Sequence, residues 1–194
     1  MKLIICEKPS QLTPEYVSSL VNQLPSWRRE QALKFRHLNG QVDCALSYLL
    51  LCQLLREEYG IIDQPTFIYA ENGKPSLAEF PDLYFSISHC KMAVGCLLST
   101  RPCGLDIEYI RKAKEDLVRH TMSPQEVESI FSSRFPDIAF TRLWTQKEAV
   151  LKLKGTGIVD DLHSVLNPDR LQGIEIQTVE NPYMGYVYTI AKQI

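Results

Sequence analysis

Two helix-length stretches, each trailed by strand-like runs, limit the architectures open to this chain. Between Gln41 and Tyr59 the residues Val42, Ala45, Leu46, Leu49, Leu50 and Leu54 recur at helical spacing, and Gly60 suits the end of the run. From about Asp137 a second run carries Phe140, Leu143, Trp144, Ala149, Leu151 and Leu153 up to Gly155. The first is followed by strand-like Thr66 to Ala70 and Leu83 to Ser88, on either side of the turn Glu-Asn-Gly-Lys-Pro-Ser, and by Ala93 to Ser99. The second is followed by Gln172 to Val179 and Tyr183 to Ala191, joined across Asn181-Pro182 and Gly185. A strand at Leu3 to Cys6 precedes the first set and one at Gly104 to Tyr109 the second. Each half therefore reads as α+β, and their coarse likeness points to an internal duplication.

Shorter helices fill the gaps. Thr13-Pro14-Glu15 has a cap and a first-turn proline, and Ser123-Pro124-Gln125-Glu126 has the capping-box spacing. Lys112 to His120 is a charged helical stretch. A basic one runs from Ser26 to about His37, where Arg28, Arg29, Lys34 and Arg36 make a local positive surface and Asn39-Gly40 is expected to break the helix.

With 194 residues and a formal net charge of −2, the chain has no overall basic character, so nucleic-acid binding and adhesion to anionic membranes are not expected. The apolar run after Met1 meets charge too soon for a signal-peptide core, and the uncharged stretch Cys44 to Leu55 is shorter than the roughly 20 residues that span a bilayer. The six cysteines form no C-x-x-C pair, and the four histidines do not fall at ligand spacing with them, so reduced thiols in a cytoplasmic protein are expected rather than zinc.

Four stretches carry chemistry. In Cys103-Gly-Leu-Asp-Ile-Glu-Tyr109, strand alternation puts Asp106 and Glu108 on one face about 6 to 7 Å apart. Their repulsion is roughly 2 to 3 kcal/mol at an effective dielectric of 20, about a quarter of that in open water. A solvated face tolerates the pair; a cleft requires a cation. In Leu143-Trp-Thr-Gln-Lys-Glu-Ala-Val-Leu-Lys-Leu-Lys154, Trp144, Glu148, Leu151 and Lys152 share a helical stripe, and Lys147, Leu151 and Lys154 the next. Glu148 and Lys152 read either as a surface i,i+4 pair or, beside tryptophan, as partly buried functional groups. Ser88 and His89 end a strand, where loops build sites. Asn72-Gly73 makes a turn from which Lys74 projects, stiffened by Pro75.

In their chain order, Gly-Lys-Pro, Ser-x-Ser-His, Gly-x-Asp-x-Glu and Leu-Trp-x-x-Lys-Glu-Ala-x-x-Lys, these stretches resemble the surfactin-synthetase type of phosphopantetheinyl transferase, from about Arg28 to Gly155. The resemblance implies a pseudo-two-fold pair of similar α+β halves, residues 1–101 on the nucleotide side of coenzyme A and 102–194 on the metal-binding and catalytic side, in a monomer. It implies transfer of the phosphopantetheine arm of coenzyme A to a serine of an acyl or peptidyl carrier protein, releasing adenosine 3′,5′-bisphosphate.

Carried over by position, Asp106, Glu108 and Glu148 would hold Mg²⁺ against the coenzyme A diphosphate, an oxygen-ligand set that suits a hard dication. Glu148 would also be the general base, with Lys152 and His89 as the phosphate-holding catalytic groups. Arg28, Gly73, Lys74, Pro75, Ser88, His89, Asp106 and Lys152 would contact coenzyme A. Asp43 stands where many relatives carry an arginine for the 3′-phosphate, and Gln31 where a second lysine can occur; Arg29, Lys34 or Arg36 are the local substitutes. For an acidic carrier, Arg111 to His120 and Phe131 to Phe135 are the docking segments, with Arg111, Lys112, Lys114, Arg119 and Arg134 as charges. Two other functions keep part of this site: a Mg²⁺-dependent nucleotide pyrophosphate hydrolase, and a non-catalytic module binding coenzyme A or carrier protein.

Overall fold

A computed structural model describes residues 1–71, 73–157 and 161–194. Strand β1 (Lys2–Glu7) leads into helices α1 (Pro14–Val21), α2 (Ser26–Leu33) and α3 (Leu38–Tyr59), followed by a small hairpin of β2 (Phe67–Tyr69) and β3 (Pro75–Leu77) and a larger one of β4 (Tyr84–His89) and β5 (Ala93–Ser99). The order then repeats. Strand β6 (Cys103–Tyr109) leads into α4 (Glu115–Thr121), α5 (Pro124–Ser132) and α6 (Pro136–Lys154), two short 3₁₀ turns, and the hairpin β7 (Ile174–Asn181) and β8 (Tyr186–Gln193).

In both runs the leading strand pairs antiparallel with the second strand of the closing hairpin. The result is two three-stranded sheets of identical topology, β1-β5-β4 and β6-β8-β7. The chain is α+β, with the repeated helix-then-sheet order expected from its pattern.

Alternation within the strands assigns each sheet its neighbours. On β5, Val94, Cys96 and Leu98 join the core formed with α1 and α3, whereas Ala93 and Leu97 point the other way and meet Leu105, Ile107 and Ile190 of the second sheet. On the second sheet's outer side, Ala149, Val150, Leu151 and Leu153 of α6 pack with Ala191. The layers are therefore helix, sheet, sheet, helix. Each buried Leu or Ile in the middle contributes roughly 2 to 3 kcal/mol.

Two local expectations are corrected. Asn39 and Gly40 do not break a helix: they lie in the first turn of α3, and the break falls at residues 34–37. A Cβ at Gly40 would stand 2.7 Å from the ring of Phe35, so a larger residue there requires that half-exposed ring to shift. The runs flanking the Gly-Lys-Pro turn also do not pair with each other. Thr66 to Ala70 contributes β2, whose partner is the short β3, while Leu83 to Ser88 becomes β4 and pairs with β5. A three-residue strand opened by proline gives little sequence signal. Asn72, expected in that turn, lies outside the described residues.

The contact that positions the functional side chains is the seating of α6 on β6. A Cβ at Gly104 would lie 2.0 Å from the Ala149 carbonyl oxygen and 2.6 Å from the Leu153 nitrogen, so only glycine lets the helix lie this close. Gly104→Ala is expected to destabilise the fold by about 3 kcal/mol or more, because backbone rather than a flexible side chain must move. Denaturant unfolding measures it; a loss under about 0.5 kcal/mol would show that the approach is not needed.

Candidate functional site

Two edge strands meet at the site. β4 and β6 are each outermost in their own sheets, and serine hydroxyls stand in for a backbone ladder between them: Ser86 Oγ accepts the Leu105 N–H at 2.9 Å and Ser88 Oγ the Ile107 N–H at 3.1 Å. Ser88 Oγ also donates to Asp106 Oδ1 at 3.0 Å. Lys152 Nζ donates to that same carboxylate oxygen at 2.7 Å and to Ser88 Oγ at 2.9 Å. One hydroxyl thus links strand, acid and helix.

Asp106 is 4% exposed, so the solvated-face account of its pairing with Glu108 fails. Among the described residues, its Oδ2 and Glu148 Oε1 are both buried and have no hydrogen-bond partner. An unpaired buried acceptor costs about 1 to 3 kcal/mol, more when charged, and such a pair suits a cation or a donating ligand. Burial first, and then the charge of Asp106, pushes the Glu148 carboxyl above the ordinary glutamate value, against the pull of Lys152. Burial likewise raises Glu108, against the pull of Arg111, whose guanidinium bonds to its Oε2. The three acids therefore feel one another electrostatically. Among the described residues, however, no three Asp, Glu, His or Cys side chains are gathered as a ready metal cage, and Asp106 and Glu108 already have cationic partners.

Two adjoining cavities share Pro75 and Ile87. One, of about 300 Å³, is lined by Gly73, Lys74, Pro75, Glu148 and Lys152. The other, of about 490 Å³, is lined by Arg28, Gln31, Asp43, Phe67, Pro75 and His89. Lys74 Nζ donates to the Leu153 carbonyl at 3.0 Å, tying the β2–β3 hairpin to α6. Arg28 stands over the rings of Tyr48 and Phe67, at 5.9 and 5.4 Å, and donates to Gln31 Oε1 and the Cys44 carbonyl. Gln31 thus acts as a partner of Arg28.

Asp43 is not a stray acid in this cleft. Its Oδ1 accepts from Lys8 Nζ at 2.7 Å and its Oδ2 lies 3.4 Å from His89 Nδ1. The substitutes considered for a missing arginine are elsewhere: Arg29 donates to the Asn22 and Leu24 carbonyls, and exposed Lys34 and Arg36 do not line the cavity. Lys8 was not legible, because its pairing with Asp43 joins residues 35 apart and neither position carries a local pattern. Arg111, expected on a docking face, instead bonds Glu108 and covers the Tyr109 and Trp144 rings.

Lys147 was also missed as a specific group. Its side chain is fully buried, and its Nζ donates to Glu126 Oε2 at 2.6 Å, the Leu162 carbonyl at 2.9 Å and the Thr121 carbonyl at 3.0 Å. Glu126 meanwhile closes the capping box on the Ser123 N–H, so one ammonium pins α6, the α4–α5 junction and the first 3₁₀ turn together. The stripe it shares with Leu151 was the available signal.

The 4′-phosphopantetheinyl transferase superfamily profile matches residues 102–190. A 4′-phosphopantetheinyl transferase of Bacillus subtilis is 27% identical over 162 residues, covering 80% of this chain and 72% of that protein. The 4′-phosphopantetheinyl transferase psf-1 of Bacillus pumilus is 28% identical, covering 84% and 72%. The 4′-phosphopantetheinyl transferase HetI of Nostoc is 36% identical over a shorter stretch, covering 54% and 48%.

Ser88→Ala strands the Ile107 amide and removes a partner from both Asp106 and Lys152, so a loss of about 2 kcal/mol in urea unfolding is expected; a neutral change would mean that water replaces the hydroxyl. Lys147→Ala leaves buried acceptors unpaired and should cost about 3 to 5 kcal/mol, against under 1 kcal/mol for the exposed Lys154→Ala. Equal losses for the two would remove Lys147 from its anchoring role.

Proposed function

The chain belongs to the 4′-phosphopantetheinyl transferase superfamily, and from that premise we propose that it moves the phosphopantetheine arm of coenzyme A to a serine of an acyl or peptidyl carrier protein, releasing adenosine 3′,5′-bisphosphate. The observation that carries this reading is the pair of buried carboxylate oxygens, Asp106 Oδ2 and Glu148 Oε1, that have no partner among the described residues, in the site that holds Lys152. Residues 1–101 would form the nucleotide side and residues 102–194 the acid side, with the boundary between β5 and β6.

Those orphan oxygens fit a hard dication, and Asp106, Glu108 and Glu148 would hold Mg²⁺. When bound, the ion supplies positive charge at the diphosphate. The chain's own residues do the rest. Lys152, already fixed by Asp106 and Ser88, would present its ammonium to a phosphate oxygen without reorganising, the condition under which electrostatic stabilisation is strongest. Lys74 and Pro75 border the Glu148 cavity, and Pro75 with Ile87 forms the wall it shares with the Arg28 cleft, so that an extended ligand would reach from one to the other. Glu148, whose carboxyl burial and then Asp106 hold above the ordinary glutamate value, is suited to take the proton from the carrier serine.

An acidic carrier would dock on the face beyond β6, where Phe131 and Phe135 are 42% and 58% exposed and Arg134 stands over the Phe135 ring at 5.3 Å. Exposed Lys112 and Lys114 extend that face; Arg119 is paired with Glu115.

Incubation with coenzyme A, Mg²⁺ and an apo carrier should add a phosphopantetheine mass to the carrier, and chelating the metal should stop it. Glu148→Gln is expected to slow transfer by about 10²- to 10⁴-fold with the fold preserved. Adenosine bisphosphate released equally fast without carrier would make the protein a hydrolase, and an unchanged rate in the variant would take Glu148 out of the reaction.

A further inference from the structure

The geometry points to Asp43 as a positioning residue: neutralised by Lys8, it holds the His89 imidazole by its Nδ1 edge so that Nε2 is the nitrogen presented to a phosphate monoester in the cleft beside Arg28. This rests on the coenzyme A reading above and supplies the part of it that Asp43 had put in question.

Three observations converge. The Lys8 side chain is 2% exposed and meets Asp43 Oδ1 at 2.7 Å, so the acid is anchored from inside the protein. The other oxygen, Oδ2, lies 3.4 Å from His89 Nδ1. His89 and Asp43 both line the cavity that Arg28 borders, whereas Lys8 lies behind them. An acid exposed alone in an anion site would repel the ligand. Here the buried ammonium cancels that charge, and Arg28 keeps the cleft positive.

Burial first holds His89 below the ordinary imidazole value; Asp43 and, more weakly, Asp106 favour its protonation, while Lys8 and Lys152 oppose it. A neutral ring beside a carboxylate carries its proton on Nδ1. When an anion arrives, Nε2 takes up a proton from solvent or from a monoprotonated phosphate, and the ring becomes a cation held between two anions, the Asp43 carboxylate and the ligand, donating to each. Asp43 thereby does through His89 what a direct arginine contact would do by itself.

The full chain tests this in two ways. Long-range ¹⁵N NMR of the ligand-free wild type should show His89 as the Nδ1–H tautomer; an Nε2–H tautomer would overturn the proposal. Calorimetry with adenosine 3′,5′-bisphosphate should show roughly tenfold weaker binding for Lys8→Met/Asp43→Asn, a pair that removes the acid without stranding a buried lysine. The same variant should raise KM for coenzyme A by a similar factor with kcat nearly unchanged, and His89→Gln added to it should cause little further loss. Unchanged bisphosphate affinity, or fully additive losses, would reduce Asp43 to a structural partner of Lys8. Failure of the wild type to modify any carrier would sink the transferase reading alone, since the tautomer and the bisphosphate affinity are read without turnover.

Discussion

Everything at the site depends on how closely α6 lies against β6. Glu148 and Lys152 are on the helix, Asp106 and Glu108 on the strand, and the Lys152–Asp106 contact of 2.7 Å exists because no side chain intervenes at Gly104. The glycine of the Gly-x-Asp-x-Glu stretch is thus as much a part of the chemistry as the acids. Its missing Cβ decides whether two elements can share one set of charges.

The same economy holds in the cleft lined by Arg28. Arg28 is braced by aromatic rings, Asp43 by a buried lysine, and His89 by Asp43, so each group facing the cleft is backed by something that faces away from it. Such backing fixes orientation before a ligand arrives. Lys147 does the corresponding work for α6, holding the turn that bears Glu148 through three acceptors on other elements.

Much of this was legible in the residues. Periodicity located α3 and α6, the capping-box spacing located α5, and strand alternation placed Asp106 and Glu108 on one face. What escaped was long-range or sterically conditioned. Lys8 and Asp43 meet only because β1 and α3 pack together, and no local pattern announces such a pair. Gly40 looked like a breaker because glycine is a weak helix former, yet it lies in the first turn of α3, whose long buried face outweighs local propensity. Strand β2 was read within Thr66 to Ala70, but its partner β3 was missed because three residues opened by a proline fall below what alternation can signal.

The serine seam between β4 and β6 has a consequence beyond the reaction. Outermost strands with free amides recruit strands from other molecules, and this chain conceals two such surfaces against each other with a pair of hydroxyls. Loosening the seam would uncover both at once. Aggregation and inactivation should therefore accompany each other in this protein, since solubility and competence are secured by the same two serines.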